Sequence, residues 1–548
     1  MPASSGDAVR PAGRARLFLL TRAPALTARA PARRARIVAL AVAAAFWCAH
    51  VAVEVWTPGR ALLTYDSAQY ALAGRHLAEH GRLMTPFAYA STLREGVGPP
   101  YPLLAGHPLL PLMLAPLFKL FGAHAWLTLV PMAVCYLLTI ACAVELVLLS
   151  GGSATLAGIV GVALAMSPGM LQNAADGLSE LPFATAWTAA MLVMTRMRRD
   201  PQPLRLGACL GLAHLARPVV VPTLPVWLAA VALASEPGRR ARNTAVAFGG
   251  FALFALSLLL YKWRATGSPF TDVGGIMLLT QLAPEFQQYT VARLLHLPNA
   301  LAWIRAHPGA LVHKLAGSLP FMVGEAFRLG GWLTGLGFAL WIVRPRRDGD
   351  GPMRLAAGGS LVVLTLLAAV TLPRSQYLFP MLPAAVAFGA MTLERLGRAA
   401  RLPAAVPVAL VAAILSWSSL RLTAAEWAGV RSARRPPAAF VERDVEALGA
   451  ALAARIPERT LVASDMAPWV SWYARRPSVT MPVTVADLDE LRARHGVTAV
   501  LITNEWMISL PGNEPWREAF EGTRMPPGWH SAEMFAHGRL RARLLLPD

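Results

Sequence analysis

Apolar stretches separated by short polar connections occupy most of this chain of 548 residues. Eleven of them predict helices inside a membrane, because several approach the ~20 residues needed to cross a bilayer. They lie at about 37–56, 124–149, 151–170, 178–197, 204–220, 221–236, 243–263, 327–343, 354–372, 377–394 and 403–421. The stretches at 204–220 and 221–236 are short and contain prolines, so they predict either two full crossings or one broken pair.

Arginine clusters fall on alternate connections between these stretches. The tail at 1–36 carries eight arginines and predicts a disordered segment, and further clusters lie at 196–199, 239–242, 344–347 and 395–401. Short arginine-rich loops face the cytoplasm, so the pattern predicts a cytoplasmic N-terminus. The outward segments are then 57–123, 171–177, 264–326, 373–376 and the residues after about 422.

The composition adds mainly exclusions. With 55% hydrophobic and 15% charged residues, the chain is too apolar for a soluble protein of this size. Its net charge of +20 lies mostly beside apolar stretches, where basic residues fix topology, so nucleic acid is not an expected partner. We therefore predict a multi-pass protein of the inner (plasma) membrane, whose part at 37–421 contacts membrane lipids.

The outward segments predict structure of their own. In the first, residues 66–80 predict a helix and 107–121 an apolar segment along the interface. Beyond 422 the patterns predict helix 439–455, strand 460–464, helix 467–475, strand 478–482, helix 485–495, strand 498–503 and a hairpin at 530–546. The predicted fold class is mainly α: about 11 transmembrane helices followed by a small extracytoplasmic α/β domain at 422–548.

Asp66 is the first candidate for chemistry, in the outward sequence TYDSAQYALAGRHLAEHG. Its carboxylate has two interpretations. It caps the helix that begins there, or it acts as a general base, since a carboxylate beside lipid can be tuned to take a proton. Tyr70 lies one turn further along the same face and is a candidate for positioning it or contacting substrate.

A second acidic group is AADGLSELPF, in which Asp176 and Glu180 are four residues apart. That spacing predicts both side chains on one helix face. Glu180 begins a span, where a carboxylate is costly unless it is paired or used; alternatively, the helix dipole favours an acid there. Asp176 is more simply a loop acid or a cap, with contact to substrate or metal as the alternative.

Cations at the outward ends of spans form the third group. Arg217 stands in GLAHLARPVVVP, where a cation needs an anionic partner, either a protein acid or a lipid phosphate. Arg374 and Tyr377 stand in LPRSQYLFPMLP, and Arg374 is also explained as an ordinary flanking residue. His107, in AGHPLLP, is either an interfacial anchor or a contact to substrate or metal.

Five motifs therefore follow one another: Asp66 with Tyr70, GHPLLPLMLAPLFKLFG, LSELPF, GLAHLARPVVVP and RSQYLFPMLPA. In this order, and on one predicted side, they resemble the lipid-linked-sugar glycosyltransferases of the C-type fold. The resemblance is in particular to bacterial members similar to the protein O-mannosyltransferases and aminoarabinose transferases, which are like glycosyltransferase family 39. The resemblance covers most of residues 37–400. Two positions depart from it: Ser67 follows Asp66 where many relatives have paired acids, and Arg217-Pro218 stands where aminoarabinose enzymes tend to have Lys-Gly.

The resemblance implies roles for these residues. Asp66 corresponds to the catalytic carboxylate of the first outer loop, and Glu180 corresponds to the second outer acid. Arg217 and Arg374, with Tyr377, would bind the phosphate of a polyprenyl-phosphate sugar donor. His107 stands where the family often has a polar or basic residue.

The predicted function is inverting transfer of a hexose or pentose from polyprenyl phosphate to a lipid, glycan or protein at the outer membrane face. A polysaccharide polymerase or ligase is an alternative, because the loop 264–326 also carries arginines, among them Arg293. A transporter or flippase, and a non-catalytic protein with a partner-binding outer domain, are further alternatives. A divalent metal near Asp66, Glu180 or His107 stays open, because no ligand spacing demands one.

Overall fold

The computed structural model describes residues 29–56, 59–104, 107–269, 274–344, 350–403, 405–407, 409–413, 441–504 and 513–548. The chain is mainly helical, as predicted. Its first described helix already begins at Arg29, so the predicted disorder is wrong for residues 29–36. The rest of the tail, 1–28, lies outside the described residues.

The membrane part and its loops consist largely of helices. They are α1 (Arg29–Val51), α2 (Tyr65–His80), α3 (Leu109–Phe121), α4 (Leu129–Leu149), α5 (Ala154–Ala165), α6 (Pro168–Asp176), α7 (Glu180–Arg196), α8 (Pro203–Ala216), α9 (Val220–Ala234), α10 (Arg240–Thr266), α11 (Gly274–Leu279), α12 (Gln288–Val291), α13 (Ala300–Ala306), α14 (Pro308–Arg328), α15 (Trp332–Val343), α16 (Gly351–Val370) and α17 (Leu382–Ala399). Residues 405–407 and 409–413 are also helical, and 414–421 of the last predicted span lie outside the described residues.

The chain is a multi-pass membrane protein, but fewer of its described helices than the predicted eleven are long and apolar enough to cross a membrane. Five described helices are long and apolar enough to cross a membrane, or up to seven if each of two bent helix pairs is one span. The count of about 11 is therefore not confirmed, although each of the first ten predicted stretches contains helix. The stretches at 204–236 form two helices, α8 and α9, that are shorter than a full span and meet at Arg217.

One bent pair corrects the predicted loop at 264–326. Its last third is helical, because α14 covers Pro308–Arg328 and turns by 96° into α15. Gly330 and Gly331 stand at this turn with φ of 68° and 96°, a conformation that glycine adopts far more easily than other residues. The other described residues of that segment include the short helices α11, α12 and α13, which pack around a small apolar cluster.

The extramembrane part is built around a six-stranded sheet. The first loop contributes β1 (Met84–Thr85), β2 (Phe87–Ala88) and β3 (Tyr101–Pro102). The C-terminal part has α18 (Glu442–Arg455), β4 (Leu461–Ser464), α19 (Ala467–Trp469), β5 (Ser478–Thr480), α20 (Val485–His495), β6 (Val497–Thr503), α21 (Glu514–Glu521), β7 (Trp529–His537) and β8 (Leu540–Pro547). The strand order is β2-β5-β4-β6-β8-β7, parallel from β2 to β6 and antiparallel beyond.

This sheet shows that the C-terminal part is not a separate module. Its edge strand β2 belongs to the first loop, with Phe87 opposite Ser478 in a parallel pairing. The guanidinium of Arg75, on α2, donates to the carbonyls of Ser471 and Trp472 at 2.8 and 3.0 Å. The buried Arg293 of the third predicted outward segment donates to two C-terminal carbonyls in the same way. The predicted outward segments therefore meet at one end of the bundle.

Candidate active site

Asp66 lies in the first turn of α2, at that end of the bundle. Thr64 caps the helix, because its hydroxyl accepts from the Ser67 amide at 3.2 Å while Ser67 Oγ accepts from the Thr64 amide at 2.7 Å. The interpretation of Asp66 as the cap is therefore wrong. Its side chain remains accessible to solvent, and Gln69 Nε2 makes a long contact to its Oδ1 at 3.5 Å. The Asp66 carboxylate therefore does not cap the helix.

The surroundings of Asp66 combine low polarity with charges of both signs. Partial withdrawal from water raises the pKa of Asp66 above its usual value, and the nearby Glu180 raises it further. Arg217 and Arg374 act in the opposite direction on the same pKa. Asp66 thus stands within electrostatic range of an acid and two cations that are distant in sequence.

Glu180 and Arg217 form a buried ion pair at the start of α7. Arg217 Nη2 donates to Glu180 Oε1, and both residues are at most 9% exposed. Ser179 joins them to α2, because its hydroxyl oxygen accepts from Arg217 Nε at 3.3 Å and from the Tyr70 hydroxyl at 3.2 Å. Glu180 therefore forms an ion pair and also lies at a helix N-terminus, where the helix dipole favours its negative charge.

The position of Arg217 follows from its sequence. A residue before proline is disfavoured in helical conformation, and α8 ends at Ala216 with Arg217 extended at φ −156° and ψ 129° before Pro218. The chain leaves the helix here, so the guanidinium turns into the site instead of continuing along the helix face. It lies over the ring of Tyr377, 5.5 Å from the ring centroid.

Arg374 and Tyr377 reach the same place from the other side of the sequence. Tyr377 belongs to a tight helical turn at Ser375–Met381 that precedes α17, and Arg374 is the residue directly before that turn. Both side chains are half-buried. Arg374 acts electrostatically on both Asp66 and Tyr377, so it lies beside the acidic cluster.

His107 packs against Tyr70, with ring centroids 6.2 Å apart. Burial lowers the pKa of His107 to about 3, and the cations Arg217 and Lys262 contribute to the lowering. A histidine with that pKa is neutral at pH 7. It can exchange hydrogen bonds with a substrate, but it does not supply a positive charge.

Asp176 is separated from Glu180, contrary to the prediction of a shared helix face. Gly177, at φ 66°, ends α6 after Asp176, and a new helix begins at Glu180. Asp176 forms an ion pair with Arg60, and its carbonyl accepts from the Thr64 hydroxyl at 3.4 Å. It therefore supports the segment that leads into α2 instead of facing the cluster around Asp66.

Two contributors were missed in the sequence. Ser179 stands within the LSELPF motif, and Gln69 is one turn after Asp66, so the spacing of three residues was the available signal for Gln69. Within the described ranges no group of three or more His, Cys, Asp or Glu side chains is arranged to hold a metal ion. The site as described offers a solvent-accessible carboxylate of raised pKa beside two arginines, which suits proton removal next to a departing anion.

Comparison with known families supports the resemblance seen in the motifs. Residues 102–263 match the family described as dolichyl-phosphate-mannose-protein mannosyltransferase. The matched segment contains three of the five motifs and includes His107, Glu180 and Arg217. No curated protein sequence matches the chain.

Solved structures extend the likeness to most of the chain. One is ArnT from Cupriavidus metallidurans bound to undecaprenyl phosphate, with a TM-score of 0.55 and 15% identity over 93% of this chain and 97% of that one. Another is the archaeal oligosaccharyltransferase AglB from Archaeoglobus fulgidus in complex with an inhibitory peptide and a dolichol-phosphate, with a TM-score of 0.54 and 14% identity over 88% and 72%. The resemblance to the C-type lipid-linked-sugar glycosyltransferases is confirmed, and the chain has their fold.

Proposed function

We propose that this protein is a membrane glycosyltransferase that moves one sugar from a polyprenyl-phosphate donor to an acceptor. The observation that supports the proposal is that the exposed carboxylate of Asp66 lies within electrostatic range of Arg217 and Arg374. These residues come from three segments of the chain, and only the fold brings them together. The relatives of like fold, crystallised with undecaprenyl phosphate or dolichol-phosphate, support a lipid-phosphate donor.

In the proposed reaction the negative charge of Asp66 serves the acceptor, and the positive charges of the two arginines serve the leaving phosphate. Asp66 accepts the proton of the acceptor hydroxyl or amine as that atom bonds to the anomeric carbon of the sugar. The bond from the anomeric carbon to the phosphate oxygen breaks, and the charge left on polyprenyl phosphate is stabilised by Arg217 and Arg374. Attack from the face opposite the phosphate inverts the anomeric centre, and the transferred unit is a hexose or pentose.

We place this reaction at the outer face of the inner membrane. The arginine clusters at 196–199, 239–242, 344–347 and 395–401 follow or precede helices at the bundle end opposite Asp66. Since such clusters are held in the cytoplasm, the site and the C-terminal sheet face outward.

The alternatives have weaker support. The hypothesis of a polymerase or ligase depends on arginines in the loop 264–326. Arg293 of that loop is only 1% exposed, and its guanidinium donates to the Met481 and Pro482 carbonyls, so it has a structural contact there. A transporter needs usable charges deep in its spans. Glu145, the acid inside α4, is paired with Arg36.

The test is release of label from donor. Membranes containing the full chain are incubated with polyprenyl-phosphate sugars labelled in the sugar, using mannose, glucose and aminoarabinose donors in parallel. We expect one donor to lose its label to an acceptor or, slowly, to water, and expect Asp66→Asn to remove that loss. Label that stays on the lipid with every donor, or transfer that persists in Asp66→Asn, contradicts the proposal.

A further inference from the structure

A cavity of about 160 Å³ opens in the first loop beside Gln69, one turn along α2 from Asp66. Its walls come from the strands β1 to β3, the segment between them and the end of α10, with Gln69 at the side of α2. Asp66 lies behind Gln69 and does not line the cavity, and neither do Arg217, Arg374 and Tyr377. The cavity is therefore distinct from the cluster assigned to the donor phosphate.

Gln69 connects this cavity to the carboxylate. Its amide nitrogen donates to the Tyr89 hydroxyl at 2.7 Å and contacts Asp66 Oδ1 at 3.5 Å. Tyr89 and Gln69 both line the cavity. In a molecule bound in the cavity, the groups next to Gln69 are therefore separated from Asp66 only by the Gln69 side chain.

Two phenol groups in the cavity have hydrogen-bonding capacity to spare. Tyr101 is only 5% exposed, and its hydroxyl has no hydrogen-bond partner in the described part of the chain. The Tyr89 hydroxyl accepts from Gln69, and its own O–H has no acceptor among the described residues. Both residues line the cavity, so each O–H is available to donate to a ligand that has acceptors of its own.

The chemistry of the lining favours an uncharged ligand. Arg94 is the one charged residue among the described residues that line the cavity, and its guanidinium donates to the Thr266 carbonyl at 2.9 Å. The aromatic rings of Phe87, Tyr89 and Tyr101 supply apolar faces beside polar tips. A sugar ring presents the complementary surface, with C–H faces and many hydroxyl groups.

We propose that this cavity is the acceptor site and that the acceptor is an uncharged saccharide, one hydroxyl of which reaches Asp66. The inference rests on the proposed transferase function and adds the class of acceptor. The hydroxyl proton passes to Asp66 as the oxygen bonds to the anomeric carbon, and polyprenyl phosphate departs as in the donor half of the reaction. A peptide hydroxyl is the competing acceptor.

The test measures acceptor and donor separately in the full chain, reconstituted in lipid nanodiscs. Short-chain alkyl glucosides and mannosides serve as saccharide acceptors, and a peptide with Ser and Thr serves as the competing acceptor. We expect transfer to a glycoside, and we expect Tyr101→Phe and Tyr89→Phe to raise its KM about three- to tenfold, the effect of one lost hydrogen bond. Inhibition by undecaprenyl phosphate and donor hydrolysis should not change. Tyr136→Phe, far from the cavity, is the matched control.

The outcomes separate this inference from the proposed function. If no donor is turned over, even by water, the transferase proposal itself has failed. If donor hydrolysis proceeds but label passes only to the peptide, or to neither glycoside, the saccharide site is overturned. It is equally overturned if the two variants leave the glycoside KM unchanged, or weaken inhibition by undecaprenyl phosphate as much as they weaken acceptor binding.

Discussion

Each end of the helix bundle holds a buried glutamate that is paired with an arginine, and the two pairs differ in kind. At the site, Glu180 is 3% exposed and pairs with Arg217, which directly follows a different helix, α8. At the opposite end, Glu394 is 2% exposed and pairs with Arg398, one turn along the same helix, at 2.7 Å. A buried acid by itself therefore does not identify a site.

The surroundings of the two pairs explain the difference. The side chain of Arg398 is 52% exposed, so its charge is hydrated, and Glu394 also accepts from Ser153, the cap of α5. The side chain of Arg217 is 11% exposed and stands among Ser179, Tyr377 and the accessible Asp66. Glu394 joins α17 to the start of α5 through Ser153, whereas the pair of Glu180 and Arg217 lies beside the exposed carboxylate of Asp66.

The largest expected difference between the two ends comes from Asp66→Asn. The substitution keeps the shape of the side chain but removes the base, so transfer should fall by at least about a hundredfold. Glu394→Gln is the matched control at the other end and should change transfer by less than about twofold. Initial rates of label transfer per amount of folded protein measure both, and equal losses in the two variants would refute the comparison.

Arg217→Lys should have the next largest effect. Lysine keeps the charge but not the two separate contacts to Ser179 and Glu180, so we expect about a tenfold or greater loss of transfer and weaker inhibition by undecaprenyl phosphate. Arg398→Lys tests the same exchange in a hydrated pair and should leave both quantities nearly unchanged. A similar loss in both variants would mean that Arg217 has only a structural role.

The pH dependence of transfer should report the neighbours of Asp66. Its pKa is raised, so kcat/KM should increase with pH along a limb centred above the ordinary carboxyl value of about 4, and level off once Asp66 has lost its proton. Glu180→Gln removes a negative charge that raises the pKa of Asp66, so the limb should move to lower pH. Glu394→Gln should leave the limb in place; a limb that shifts equally in both variants would contradict this assignment.

The smallest effect is expected for Tyr70→Phe. It removes the hydrogen bond from the Tyr70 hydroxyl to Ser179, which should lower transfer about two- to tenfold without loss of fold. Tyr136→Phe removes a buried hydrogen bond inside the bundle, to the Ala165 carbonyl, and should lower thermal stability while transfer per folded protein stays constant. Loss of transfer with Tyr136→Phe, but not with Tyr70→Phe, would reverse the expectation.

Local sequence patterns correctly predicted helices, because helix formation depends mainly on residues close together in the chain. The helix at 66–80 was expected and is Tyr65–His80, and the helix at 485–495 was expected and is Val485–His495. Asp176 and Glu180 show where this fails, because one glycine between them broke the helix that the spacing of four residues had implied. The pairing of β2 with β5 was not predictable, since a strand of two residues has no periodicity to detect.

The sequence by itself determined that the chain is a membrane protein, which ends of its helices lie together, and which residue types deserve attention there. Hydrophobicity and the alternation of arginines act over short segments, so they can be read from the chain directly. Only the tertiary structure decided that Thr64 and not Asp66 caps α2, that Ser179 joins Tyr70 to Arg217, and that a cavity opens beside Gln69. The Thr64 cap is a contact between residues three apart, but the hydrogen bond from Tyr70 to Ser179 joins residues 109 positions apart, and the cavity walls join the first loop to the end of α10. Packing alone determines such long-range distances.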